Sequence, residues 1–195
     1  MKFGELGELA VLTLRDPEAA MRVLRGLDLP LGARWMVLFL AVVLSRMVGA
    51  MLMILLPADG QDPLAQLLSD PMTMAAIEFV GMVLTAFFVT HIGRMFGGTG
   101  NFADALLAVA WIELLLVVLM AVQVLMLVLL PGTVDLLGMI AGALSIYLTV
   151  TMTKALHGFT SLIKVAMVYF GLSLALGLLV MTVAPGLIPL PEVAQ

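Results

Sequence analysis

The chain has 195 residues, 63% of them hydrophobic and 11% charged, with a mean hydropathy of +1.21. A soluble domain carries about 25% charged residues, so this composition excludes one and places the chain in lipid. The net charge of −4, with Lys and Arg spread out rather than gathered in a patch, excludes nucleic acid as a partner; the lack of cysteine excludes disulfides and thiolate chemistry.

Residues 1–34 read as a cytoplasmic, non-spanning segment. Glu5, Glu8, Arg15 and Asp16 interrupt the apolar core that a signal peptide needs, so no cleaved leader is expected. Asp16-Pro17-Glu18 marks a helix start, with Asp16 as N-cap, Pro17 in the first turn and Glu18 at the positive helix end. Ala20, Met21, Leu24 and Leu27 fall on one face, Arg22 and Arg25 on the other, and Gly26 is the expected C-cap. This short amphipathic helix either lies on the membrane with its arginines at lipid phosphates or packs on the protein's own loops. Both arrangements bury the same stripe.

Five apolar runs of membrane-crossing length follow, at about 35–56, 72–92, 103–130, 134–153 and 165–183. The sequence therefore predicts an all-α integral membrane protein of five transmembrane helices, with a membrane domain over 35–184 and a short outer tail over 185–195. Lys2, Arg15, Arg22, Arg25 and Arg34 precede the first span, Arg94 separates the second from the third, and Lys154 and Lys164 separate the fourth from the fifth. The alternate connections, 57–71, 131–134 and 185–195, contain no Lys or Arg. Positive residues mark the cytoplasmic side, which puts the N-terminus inside and the C-terminus outside.

Three charges fall within predicted spans: Arg46, Glu78 and Glu113. Charge exposed to lipid at mid-bilayer costs several kcal/mol, so each should face the bundle interior. At about 1.5 Å per residue, Arg46 lies roughly 18 Å and Glu113 roughly 15 Å from the cytoplasmic ends of their spans. Glu78 lies roughly 9 Å from the outer end of its own. The three share one layer, to which Gln123, Thr85 and Tyr147 could add hydrogen bonds. One reading is an ion pair that fixes which helices touch. The other is a proton or cation path, or a polar site for a substrate head group.

Gly97-Gly98-Thr99-Gly100-Asn101 resembles a phosphate loop only superficially, since no strand precedes it and the Lys-Ser/Thr pair is missing. It reads as a reversal with Asn101 as N-cap of the third span. The backbone N–H groups there, with Arg94 beside them, could accept a lipid phosphate. The candidate lipid-phosphate contacts are thus Arg22, Arg25, Arg94 and Asn101. His91 and His157 offer no paired spacing for a metal, and no nucleophile elbow is present, so neither a cofactor nor catalysis is expected. Gly138/Gly142 and Gly171/Ala175 suit close helix packing.

Asp16-Pro17 with Ala20, the glycine-rich Gly97–Phe102 loop, Ala108-Val109-Ala110-Trp111 and His157-Gly158-Phe159 together resemble the Yip family of small multi-span membrane proteins, named for interaction with Ypt/Rab GTPases, and its bacterial members in particular. Such proteins often carry a proline early in the third span, where Glu113-Leu114-Leu115 stand here. The resemblance implies the bacterial inner membrane and a non-enzymatic scaffold or accessory role toward lipids, other membrane proteins or further copies. Eukaryotic members act in vesicle traffic through long soluble N-terminal regions; the short segment before the first span carries no support for Rab binding. A small transporter using Arg46, Glu78 and Glu113 is the alternative.

Overall fold

The computed structural model describes residues 3–55 and 70–187, and the described chain is helical throughout, apart from turns. Its helices are α1 (Phe3–Arg15), α2 (Pro17–Gly26), α3 (Leu31–Leu55), α4 (Pro71–Met95), α5 (Phe102–Leu129), α6 (Val134–His157) and α7 (Leu162–Leu187), with a 3-10 turn at Pro131–Thr133. The last five are long and apolar enough to cross a membrane. Most of the 57–71 connection and residues 188–195 of the tail lie outside the described residues.

α5 is the centre of the bundle. Its first half is small and apolar, and Ala105, Leu106, Leu107, Ala108, Ala110 and Trp111 are all buried. Alanines let neighbouring backbones approach closely, and α3 makes the most extensive contact along it, with α4, α6 and α2 around the remaining sides. The far half of α5 turns large side chains such as Val118, Leu125 and Val128 outward. In hydrocarbon this exposure costs nothing, because lipid tails are as apolar as the side chains.

The N-terminal segment holds two helices where the sequence reading expects one. Asp16 accepts a hydrogen bond from the backbone N–H of Ala19 at 2.9 Å and starts α2. The helix ends differently from the reading: Leu27 caps it in right-handed conformation, and Asp28, at φ 45°, makes the left-handed reversal expected of Gly26. Asp tolerates that region because its short side chain bonds locally. Ala20, Met21 and Leu24 are fully buried, in a helix that packs chiefly against α6 and α1 and also touches α5. Burying Met21 and Leu24 contributes about 2 kcal/mol each. The amphipathic stripe therefore packs on the protein itself. Ahead of it α1 contributes Leu9 and Thr13, also buried. Trp111 Nε1–H donates to Thr13 Oγ1 at 2.9 Å, and that hydroxyl donates to the Leu9 carbonyl at 2.7 Å, which ties α1 to the central helix.

Candidate functional site

Two polar centres stand out, one within the span layer and one where α4, α5 and α6 meet the N-terminal helices. In the first, Arg46 of α3 forms an ion pair with Glu78 of α4. The Glu78 side chain is only 15% exposed. Arg46 Nε, both Glu78 carboxylate oxygens and Ser45 Oγ are buried without an aligned hydrogen bond among the described residues, so the attraction is electrostatic rather than directional. Half-buried Glu113 of α5 lies against Ser45, Glu78 and Arg46. The layer thus joins α3, α4 and α5 through one cation and two carboxyl groups.

Gln123, Thr85 and Tyr147 add no hydrogen bond to this layer among the described residues. Gln123 Nε2 reaches the Val134 carbonyl at 3.4 Å, Thr85 Oγ1–H donates to its own helix at Gly81 at 2.8 Å, and Tyr147 is exposed. Among the described residues no group of three His, Asp or Glu side chains is placed to hold a metal ion.

The second centre is built on Asp104, in the first turn of α5. Asn101 accepts from the Asp104 backbone N–H at 2.8 Å, capping the helix, and donates its Nδ2–H to Asp104 Oδ2 at 2.9 Å. Arg34, buried in the first turn of α3, pairs with Asp104 Oδ1 and donates Nε–H to the Leu29 carbonyl at 2.8 Å. Arg25 of α2 reaches Asp104 Oδ2 at 3.1 Å. One carboxylate at a positive helix end thereby receives two guanidinium groups. A second ion pair, Lys154 Nζ to Glu18 at 2.5 Å, joins α6 to α2.

Beside it the glycine loop closes on His157. The His157 ring is buried; Nδ1 accepts the Gly100 backbone N–H at 3.1 Å, and Nε2 lies 2.9 Å from the Val89 carbonyl. A carbonyl can only accept, so Nε2 carries the proton and the imidazole is the neutral Nε2–H tautomer. A Cβ placed on Gly93, Gly98 or Gly100 would stand within 3.0 Å of His157 side-chain atoms. Here the glycines are a seat for a ring. α6 continues past Thr153 to His157 and ends at Gly158 in left-handed conformation, φ 70°. Arg94 Nε–H donates to the Gly100 carbonyl at 2.9 Å and braces the same loop.

Of the candidate phosphate contacts, Arg25, Arg94 and Asn101 thus have partners inside the chain, and these three and Arg22 are all exposed at this end. Asp104 and Arg34 were not singled out by sequence. The signal available was an acid three residues beyond an N-cap Asn, next to an apolar run.

Five apolar crossings, closed at one end by two short helices and cross-linked by ion pairs between helices, define an integral, multi-pass α-helical membrane protein. Residues 11–184 match the Yip1 domain, and the chain belongs to the Yip1 domain family. No curated protein and no solved structure matches it.

Proposed function

We propose that the protein is a non-enzymatic scaffold or accessory subunit of the bacterial inner membrane, N-terminus inside and C-terminus outside, which holds other membrane proteins, further copies of itself or lipid. The observation that carries this reading is how the charges are used. Arg46 with Glu78, Arg34 and Arg25 with Asp104, and Lys154 with Glu18 bind helix to helix, while the outer faces of α3, α4 and α7 offer large apolar side chains such as Phe39, Ile77 and Phe170. Charges spent inside the bundle and an apolar exterior suit lateral association. The loop end, where Arg22, Arg25, Arg94 and Asn101 are exposed, borders the phosphate layer on the cytoplasmic side. The orientation rests on the distribution of Lys and Arg; a phosphatase fused after Gln195 is expected to be active, and an inactive fusion would reverse it.

A transporter is the second reading. It is favoured by Glu113, the carboxyl group left over once Arg46 has paired with Glu78. Purification from native membranes in mild detergent, followed by flux measurements in liposomes, separates the two. A stoichiometric membrane partner or a homo-oligomer, with no flux above empty vesicles, is the expected result. A lone monomer whose cation or proton flux vanishes in Glu113→Gln, with the fold intact, would replace the scaffold by the transporter.

A further inference from the structure

α7 packs chiefly on α6, and between it and α4 lies a cleft of about 530 Å³. Its walls are apolar: Phe88, Val89 and Ile92 from α4, Val168, Leu172 and Leu176 from α7. Two of its hydroxyls are turned back on their own helices, Ser173 Oγ–H to the Tyr169 carbonyl at 2.9 Å and Thr85 Oγ1–H to Gly81. They contribute little polarity to the walls.

The cleft has a direction. α4 runs toward the glycine loop and α7 away from it, so Phe96, Ser161 and Lys164 lie at one mouth and Thr85 and Leu176 at the deep end. From Lys164 to Leu176 the helix rises about 18 Å, a little more than half of a roughly 30 Å hydrocarbon core. An apolar slot of this length, open to the lipid side, suits one extended acyl chain.

The mouth is cationic. Lys154 on the neighbouring helix is neutralised by Glu18, whereas Lys164 has no carboxylate within ion-pair distance among the described residues and lines the cleft beside Ser161. We propose that this cleft holds one acyl chain of an anionic amphiphile, with its phosphate or carboxylate on Lys164. The inference goes beyond the accessory role and stands on the cleft alone; a chain that bound no lipid here could still capture its membrane partner in the purification above.

The test is lipid retention by the full chain in nanodiscs of phosphatidylcholine doped with phosphatidylglycerol or with palmitate, read by native mass spectrometry after release. One anionic lipid per chain is expected, with a preference over phosphatidylcholine that falls about fivefold in Lys164→Gln. Val168→Trp and Ser173→Phe fill the slot from two positions, and each should abolish retention while circular dichroism and elution volume stay unchanged. Retention of phosphatidylglycerol with this pattern assigns a phospholipid, and retention of palmitate with the same pattern assigns a free fatty acid. Retention equal in wild type and in whichever slot-filled variant keeps its fold would overturn the proposal, as would equal retention of neutral and anionic lipid by the wild type.

Discussion

Gly93 and Gly81 occupy the same helix, and replacing each by alanine should move stability in opposite directions. At Gly81 a new Cβ meets nothing within 4 Å, so alanine gains the usual helix preference of about 0.5–1 kcal/mol. At Gly93 the same gain is offset by overlap with three atoms of the His157 ring. Overpacking costs about 1–3 kcal/mol, and pushing the ring aside also loses its bonds to Gly100 and Val89, about 1 kcal/mol each. The net loss is about 2–4 kcal/mol, which for a chain of this size lowers the melting temperature by roughly 5–15 °C. The assay is the fraction remaining monodisperse on gel filtration after heating in detergent. The same two substitutions are then made in a His157→Ala background, where the ring is gone and Gly93→Ala should become as benign as Gly81→Ala. A Gly93→Ala protein as stable as Gly81→Ala, or one equally damaged with and without the ring, would refute the idea that the loop is shaped around His157.

Asp104→Asn strands the buried Arg34 guanidinium and should cost about 3 kcal/mol or more in unfolding equilibrium; Arg25→Gln, at an exposed partner of the same carboxylate, should cost less than about 1 kcal/mol. Glu78→Gln should reduce folded yield far more than Glu113→Gln, because Glu78 is the acid paired with Arg46; equal and negligible effects of both would remove the structural role of that pair. Trp111→Phe deletes the hydrogen bond to Thr13, worth about 1 kcal/mol, and should speed amide exchange in α1 selectively. Hydrogen bonds from the Thr73 hydroxyl and backbone hold the Asp70 carboxyl below its ordinary 3.8. Its stabilisation of the α4 start is therefore complete above that pH and is lost as pH falls through the lower folded value. Exchange at the first turn of α4 should accelerate in acid in the wild type, a step that Asp70→Asn lacks.

The fold was legible because a membrane crossing leaves a length signature that no local propensity can imitate: about 20 apolar residues in a row. The start of α5 was legible from Asn101 for a similar reason, since an N-cap is a property of one side chain and the next few N–H groups. What escaped depends on distance along the chain. Arg34 reads as one more positive charge before a span, and only its meeting with Asp104, 70 positions away, makes it a buried tie. α1 escaped because Glu5, Glu8 and Arg15 suggest a solvated segment, although Leu9 and Thr13 share a face that packs inward. The glycine loop was read as a reversal before Asn101, but the reason for its glycines lay out of sight, because the His157 ring that sits in it comes from the far end of α6. The layer of Arg46, Glu78 and Glu113 could be placed by counting rise per residue, but depth does not say which acid the arginine takes.

The pairing of Glu18 with Lys154 spans 136 positions, and that separation is also an interval in time. At about 5–20 residues per second, a ribosome needs roughly 7–30 s to deliver the partner of α2 after α2 itself has emerged. Throughout that interval Ala20, Met21 and Leu24 lack α6, the helix that α2 contacts most extensively. The seat of α2 is thus finished late, by α6, after α1 and α5 have supplied its other walls. Among the described residues the Glu18–Lys154 contact is the ion pair with the longest reach along the chain, so this end of the bundle is the last to be tied.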